Sequence, residues 1–478
     1  MSKHVRESNI QHIIKSISSY LPSRFLIIFS AAFIIPLLSK HIDYMQMSIY
    51  LIAIQILNLL CTTSFDGIGK IVLRFYEKYK FNKKLDEFFS SLFWISIIVY
   101  IITWLVYIFS HGIIEEKFAI DNGTLLIVLF LVIPCGIRQF LYQILRVYRE
   151  ASLYTISIIM YQILFIIFIF TIIKHSPTAN YVLITMAFSV FIVDLFILSR
   201  ISLSRKILLQ VDKGIVCEIL KYSIPLFFTN ACYWSMLNIS KFIFQYTHQY
   251  SNTAISGVTS TFANMVMQPL VSVFIFAAFP VIVKKYELKK KLKKYFTNLL
   301  QLFCIIFTPI IFMFCVYNNE ITALVFPKAY DKVCILMPFY IVAVCFHELT
   351  KLINIKYHLK NIMMLELTIA IVTSTIALGL NFYLIHKYGL IGAALALFLS
   401  ELLLLIINIL VKTERATFIN YAKLLKSIII SLIISVTTHF ILSIPFSVAS
   451  KYVHILEITL YMVCCYILYF ILRKKLID

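Results

Sequence analysis

The chain has 478 residues, 61% hydrophobic and 14% charged, with a mean hydropathy of +0.92. Soluble domains carry about a quarter charged residues, so these proportions exclude an ordinary soluble globule, and the scarcity of Gly (10) and Pro (11) excludes collagen-like and low-complexity chains. A net charge of +21 in a soluble protein would point to nucleic acid, but here the charges fall in short stretches between apolar blocks, the pattern of topogenic loops, and no nucleic-acid partner is expected.

Residues 1–23 come first. Ile10, Ile13, Ile14, Ile17 and Leu21 recur at helical spacing, with His12, Lys15, Ser16 and Ser19 between them, which predicts a cytoplasmic amphipathic segment at the interface. The first long apolar run starts near Arg24 and leaves at Ser39-Lys40-His41, without a small-residue cleavage site, so it reads as a first span and not as a signal peptide.

A crossing helix needs about 20 apolar residues, and about fourteen candidate spans meet that length. In order they run from Arg24 to Ser39, Met45 to Ser64, Phe88 to Ser110, Thr124 to Val147, Ser152 to Ile173 and Asn180 to Ser199. Then come Ile219 to Ser240, Thr253 to Val283, Tyr295 to Tyr317, Val333 to Ile355, Ile362 to Ile385, Gly389 to Val411, Leu424 to Ile444 and Val453 to Leu472. Loops after even-numbered spans are basic, most clearly around Lys284 to Lys294, whereas odd-numbered loops are poor in Lys and Arg, and one is acidic (Glu115, Glu116, Asp121). About 34 Lys and Arg lie on one side against about 8 on the other, which puts both termini in the cytoplasm. The longest loop, roughly Phe65 to Glu87, is too short for a soluble domain.

Pro22 and Pro225 each open the first helix of a half, and Pro134 and Pro338 each interrupt the fourth, which suggests two parallel six-helix repeats. The implied division is 24–205, 206–415 and two additional helices at 416–478. The expected class is all-α, a polytopic membrane protein.

Ionisable groups inside spans are costly and are functional candidates, with snorkelling as the alternative near helix ends. Arg24 sits at the mouth of the first span, Arg138 within the fourth and Asp194 within the sixth. Glu348 lies near the end of the tenth, Glu366 early in the eleventh and Glu401 midway along the twelfth. Polar residues form stripes: Ser48, Gln55, Asn58 and Thr62; Asn230, Trp234, Asn238 and Lys241; Thr253, Ser256, Ser260 and Asn264. Each stripe either bonds helices together or lines a wet cavity. Gly389, Gly392, Ala393 and Ala396 put small residues on one face, which allows close helix packing. Ten cysteines, among them Cys61, Cys135, Cys304 and Cys315, read as small buried hydrophobes, since none forms a C-x-x-C pair or has a histidine at zinc spacing. No metal or cofactor is expected.

Four stretches carry a family resemblance: Gly67 to Tyr76 (GIGKIVLRFY), Leu220 to Leu226 (LKYSIPL), Phe326 to Tyr330 (FPKAY) and, most specific, Asn381 to Ala396 (NFYLIHKYGLIGAALA). On these the chain resembles the polysaccharide-export flippases, the O-antigen (Wzx-type) branch, of the multidrug/oligosaccharidyl-lipid/polysaccharide superfamily. Where relatives often carry an acidic residue and an arginine after the seventh span, this chain has Ser240-Lys241.

The resemblance implies two six-helix bundles around a central cavity plus two peripheral helices, in a bacterial inner membrane. The implied substrate is an undecaprenyl-pyrophosphate-linked oligosaccharide, moved by alternating access among membrane lipids and handed to a polysaccharide polymerase with its chain-length regulator. Arg24, Arg138 and Lys241 would pair with the pyrophosphate; Gln55, Asn58, Asn230, Asn238 and Asn264 would line the lumen; Asp194, Glu348, Glu366 and Glu401 would couple an ion. An ion-coupled drug exporter of the same superfamily, a lipid II flippase and a membrane polymerase are the competing readings. The short outer loops, without a convergent acid-base site, argue against an enzyme.

Overall fold

The computed structural model describes residues 26–30, 33–62, 67–148, 150–173, 178–201, 211–287, 292–360, 362–411, 421–443 and 451–477. Residues 1–23 and Arg24, with the expected amphipathic segment, lie outside the described residues.

Everything described is helix or connection. Helix α1 is described at 26–30 and 33–41; α2 to α9 follow at Tyr44–Cys61, Gly67–Phe81, Leu85–Phe118, Asn122–Val147, Ala151–Ile173, Ala179–Arg200, Lys213–Tyr246 and Tyr250–Glu287. Then come α10 (Leu292–Val316), α11 (Asn318–Val325), α12 (Val333–Lys360), α13 (Met363–Leu410), α14 (Tyr421–Ser443) and α15 (Lys451–Ile477). Among the described residues, ten helices are long and apolar enough to cross a membrane. The protein is therefore a multi-pass all-α membrane protein. Helices suit that solvent because each satisfies its own backbone groups.

The ends obey capping chemistry. Asp43 accepts from the Gln46 amide (2.8 Å) at the start of α2, and Asp121 accepts from the Thr124 amide (2.9 Å) at the start of α5. The Gln46 side chain accepts from the Ala179 amide (3.0 Å) and so caps α7 from a neighbouring helix. Each supplies an acceptor to a first-turn N–H that has no intrahelical partner.

Three segments differ from the sequence reading. The long loop after the second span contains α3, whose Ile71, Val72, Phe75, Tyr76 and Tyr79 are buried. Its charged opposite face kept it from reading as a span, and helical spacing of the apolar residues is the signal for it. The acidic loop is largely the last turns of α4, which runs to Phe118 before Ala119 adopts a left-handed φ of 51°. The segment after α10 forms α11 and a 3-10 turn at Lys328–Tyr330. A fourth difference concerns a side chain: Cys315 is exposed, because its neighbour Phe314 occupies the inward face of α10.

The 48 residues of α13 would reach about 72 Å if straight. They do not run straight. Gly389 takes φ 57° and ψ −125°, and a Cβ on Gly392 would collide with the backbone carbonyl of Leu384. Eight residues apart in a continuous helix lie about 12 Å apart, so the chain doubles back here. Ala393, Ala394 and Ala396 are buried just beyond the turn. The small residues thus serve a hairpin within one segment.

Contacts divide the chain into two units, 1–258 with 362–396 and 259–361 with 397–478. In the first, α5, α6 and α7 pack together and α2 lies on α5 and α7, around Leu141, Leu145, Tyr154, Ile158, Val193 and Ile197. Helix α4 keeps only 11% of its most apolar stretch buried, as a lipid-facing helix does. In the second, α10 packs against α12, α14 and α15. Phe303 stacks on Phe307 with ring centres 4.3 Å apart, and Gln301 donates to Ser427 Oγ at 3.1 Å.

Gly392→Ala is expected to destabilise the protein by more than about 2 kcal/mol, through overpacking against a backbone carbonyl. Gly389→Ala, which meets open space but keeps a left-handed φ, should cost about 1 kcal/mol. Thermal unfolding of both variants in detergent checks the order.

Candidate functional site

The first unit buries charge among α5, α6 and α7. Asp194 on α7 is 4% exposed and neither carboxylate oxygen has a hydrogen-bond partner. Arg138 on α5 lays its guanidinium 4.3 Å from the ring centre of Tyr161 on α6, a cation–π contact, with Nη2 4.0 Å from Cys135 Sγ. The two groups sit on packed helices, α5 and α7, without forming an ion pair. Cys135 and the Cys61 thiol of α2 are both buried in this neighbourhood. The structure thus joins a lumen candidate, Arg138, to an ion-coupling candidate, Asp194. The surrounding Tyr142, Tyr161 and cysteines carried no individual sequence signal.

The polar stripes of α2 and α8 meet each other. Trp234 Nε1 donates to the Gln55 carbonyl (3.1 Å) and Asn230 Nδ2 donates to the Thr62 carbonyl (3.3 Å), about two turns further along α2. Asn230 therefore caps the orphan carbonyl end of α2. Asn238 donates to the Trp234 carbonyl (2.9 Å) and accepts from Lys241 Nζ (2.7 Å), while Lys241 is 1% exposed. Gln55 is buried and Asn58 is exposed. Tyr233 donates to Glu366 at 3.5 Å.

In the second unit, Asn264 donates to the Ser260 carbonyl at 2.9 Å within α9. Glu348 accepts from Lys351 at 2.6 Å, three residues along α12. Glu401, fully buried, meets His347 Nδ1 at 3.0 Å across helices. His347 was not singled out by sequence; an imidazole inside a span was the available signal. Lys356 donates to the carbonyls of Asn408 (2.5 Å) and Val411 (3.1 Å), where a cation complements the carboxyl end of α13.

A second polar group of the first unit ties α3 to α8. Lys78 Nζ reaches both oxygens of Glu218 (2.5 and 2.7 Å), and Tyr79 donates to the same carboxylate (2.6 Å). Lys84 meets Asp212 at 3.0 Å, and Asp212 also accepts from the Gly214 and Ile215 amides as the N-cap of α8. The Lys84 hydrogen bond, then those amides, hold the Asp212 carboxyl below its ordinary range, and the same bond with Glu87 raises Lys84. Tyr79 stacks on Phe88 (4.9 Å) and Phe75 meets Tyr222 edge-on (5.8 Å), so aromatic packing reinforces the ion pairs.

Membrane-length helices with charges buried inside them define a polytopic membrane protein. Residues 25–335, well over half of the chain, match the family described as "Polysaccharide biosynthesis protein", and the chain belongs to that family. Its fold is similar to that of the lipid II flippase MurJ in an inward closed conformation, with a TM-score of 0.70 at 18% identity over 97% of this chain and 100% of that one. It is also similar to the eukaryotic MATE transporter AtDTX14, with a TM-score of 0.58 at 12% identity over 84% and 97% of the two chains. A multidrug-resistance MATE family transporter in an inward-facing conformation gives a TM-score of 0.54 at 12% identity over 82% and 92%. No curated protein matches the chain.

His347→Ala should destabilise the protein by about 3 to 5 kcal/mol, because it leaves a buried carboxylate without its partner. The double change His347→Leu with Glu401→Leu should cost much less, and unfolding of both in detergent tests this. Asp212→Asn keeps the helix cap and removes the charge. Because the folded carboxyl is held low, its contribution is present above about pH 4 and is lost as pH falls through the lowered folded value. The Tm gap between wild type and D212N should therefore hold at neutral pH, close in acid and shrink with salt.

Proposed function

We propose that the chain is a flippase that carries an undecaprenyl-pyrophosphate-linked oligosaccharide repeat unit from the cytoplasmic to the periplasmic leaflet by alternating access. The observation that carries this reading is that a chain of a polysaccharide-biosynthesis family shares its fold, end to end, with a lipid II flippase. A pyrophosphate does not cross hydrocarbon unaccompanied, and a cation held inside the helices of one unit, Arg138, supplies the counter-charge that such a headgroup needs. Arg24 and Lys241 extend the same role, with Gln55, Asn58, Asn230, Asn238 and Asn264 contacting sugar, and Asp194, Glu348, Glu366 and Glu401 taking the coupling ion. An inside-negative potential favours outward movement of negative charge by about 2.3 kcal/mol per charge per 100 mV.

The proposed topology has fourteen spans, two six-helix bundles (24–205 and 206–415) around a central cavity and two further helices, with both termini in the cytoplasm of a bacterial inner membrane. It is supported by the alternation of basic loops. Polymerase and chain-length regulator would take the unit on the far side.

Deletion of the gene should abolish the surface polysaccharide and leave lipid-linked units on the cytoplasmic side, read by labelling of intact and lysed cells. Arg138→Ala should reproduce that loss by about a hundredfold or more in transport while the protein still inserts. Unpolymerised units on the surface would instead identify a polymerase, and unchanged polysaccharide with raised drug sensitivity would identify an exporter.

A further inference from the structure

Arg138 and Asp194 are arranged unlike Glu348 and Glu401. Glu348 and Glu401 each meet a basic partner within 3.0 Å. Asp194 instead buries two carboxylate oxygens without a hydrogen bond, while Arg138 spends its face on Tyr161 and buries Nη1 without a partner. A carboxylate in that setting is tolerated only when neutralised, by a proton or by the approach of a cation. The helices packed on α7 contribute Cys135 and Tyr142 from α5, Tyr154 and Tyr161 from α6, and Cys61 and Tyr50 from α2 as the other titratable groups of this neighbourhood. None of these is a carboxylate, and Arg138 is the permanently charged group among them. The charge balance of the cluster therefore rests on one cation and one acid.

Resting on the assignment of Arg138 to the headgroup, we propose that a pyrophosphate headgroup and a proton bind this cluster together: the headgroup takes Arg138, and Asp194 takes up a proton from water. An anion drawn to Arg138 places negative charge beside an already buried carboxylate, and in a medium of low dielectric the two repel strongly. One proton on Asp194 removes that repulsion. Binding linkage is reciprocal, so protonation of Asp194 frees Arg138 and tightens headgroup binding by the same factor. The loaded cluster is then closer to neutral, which lowers the cost of carrying it between leaflets.

The test uses the purified full-length protein in detergent with farnesyl pyrophosphate as the probe. Calorimetric titration in two buffers of different ionisation heat counts the protons exchanged on binding. The wild type is expected to take up close to one proton near pH 8, where the carboxyl of the free protein and the probe's phosphates are both ionised. Asp194→Asn should bind without uptake, and above about pH 8 it should bind about tenfold more tightly than the wild type. Ionisation of the probe's own phosphate on meeting an arginine releases protons, the opposite sign, and is common to both proteins. Should D194N fail to fold, the two-buffer comparison on the wild type still decides. Binding with no uptake, or with release, overturns the proton linkage and leaves the headgroup assignment standing. Absence of binding, or binding by Arg138→Gln equal to that of the wild type, overturns the headgroup assignment and the linkage with it.

Discussion

Hydrocarbon offers no hydrogen bonds, and that deficit governs how this chain is built. Backbone groups are satisfied first by helix formation and then, at helix ends and breaks, by side chains borrowed from neighbours. Gln46 caps α7, Asn230 caps α2, and Lys356 covers the carbonyls that end α13. Around Pro309 in α10, Tyr461 and Tyr466 donate to backbone carbonyls from α15 (3.4 and 3.1 Å). Asn230, a lumen candidate in a linear reading, is engaged in this work.

The same deficit makes the treatment of charge informative. Glu348 is hydrogen-bonded by Lys351 on its own helix, and Glu401 meets His347 from another. Such closed pairs are stabilised only when intact and are costly to break. Arg138 and Asp194 stay near each other without closing, the cation resting on an aromatic face. An open pair retains capacity for a third charge. Under the proposed function, that difference in geometry separates the charge offered to a ligand from those committed to the fold.

Helix α3 shows the boundary between apolar and aqueous chemistry within one short element. One face, with Ile71, Val72, Phe75, Tyr76 and Tyr79, is buried against α4, α5 and α8, and the other presents lysines. Exposed ion pairs contribute little singly because solvent screens them. Here Lys78–Glu218 and Lys84–Asp212 act beside stacked and edge-on aromatic contacts, so they orient an attachment whose strength comes from packing.

Composition, loop charge and apolar run length were enough to read a polytopic all-α membrane protein from the sequence, because the bilayer imposes a fixed length and a fixed penalty on charge. The long apolar segments coincide closely with the helices, and the YGLIGAALA stretch marks the reversal at Gly389. Individual charges in spans were also legible, since Arg138, Asp194 and Glu401 stand out against an apolar background. Their partners were not. Whether Glu401 meets His347, whether Arg138 approaches Asp194, and whether Asn230 lines a space or caps a helix depend on which faces of distant segments come together. Rotating a helix partway about its own axis leaves the apolar run length intact and changes such contacts, so only the tertiary structure decided them.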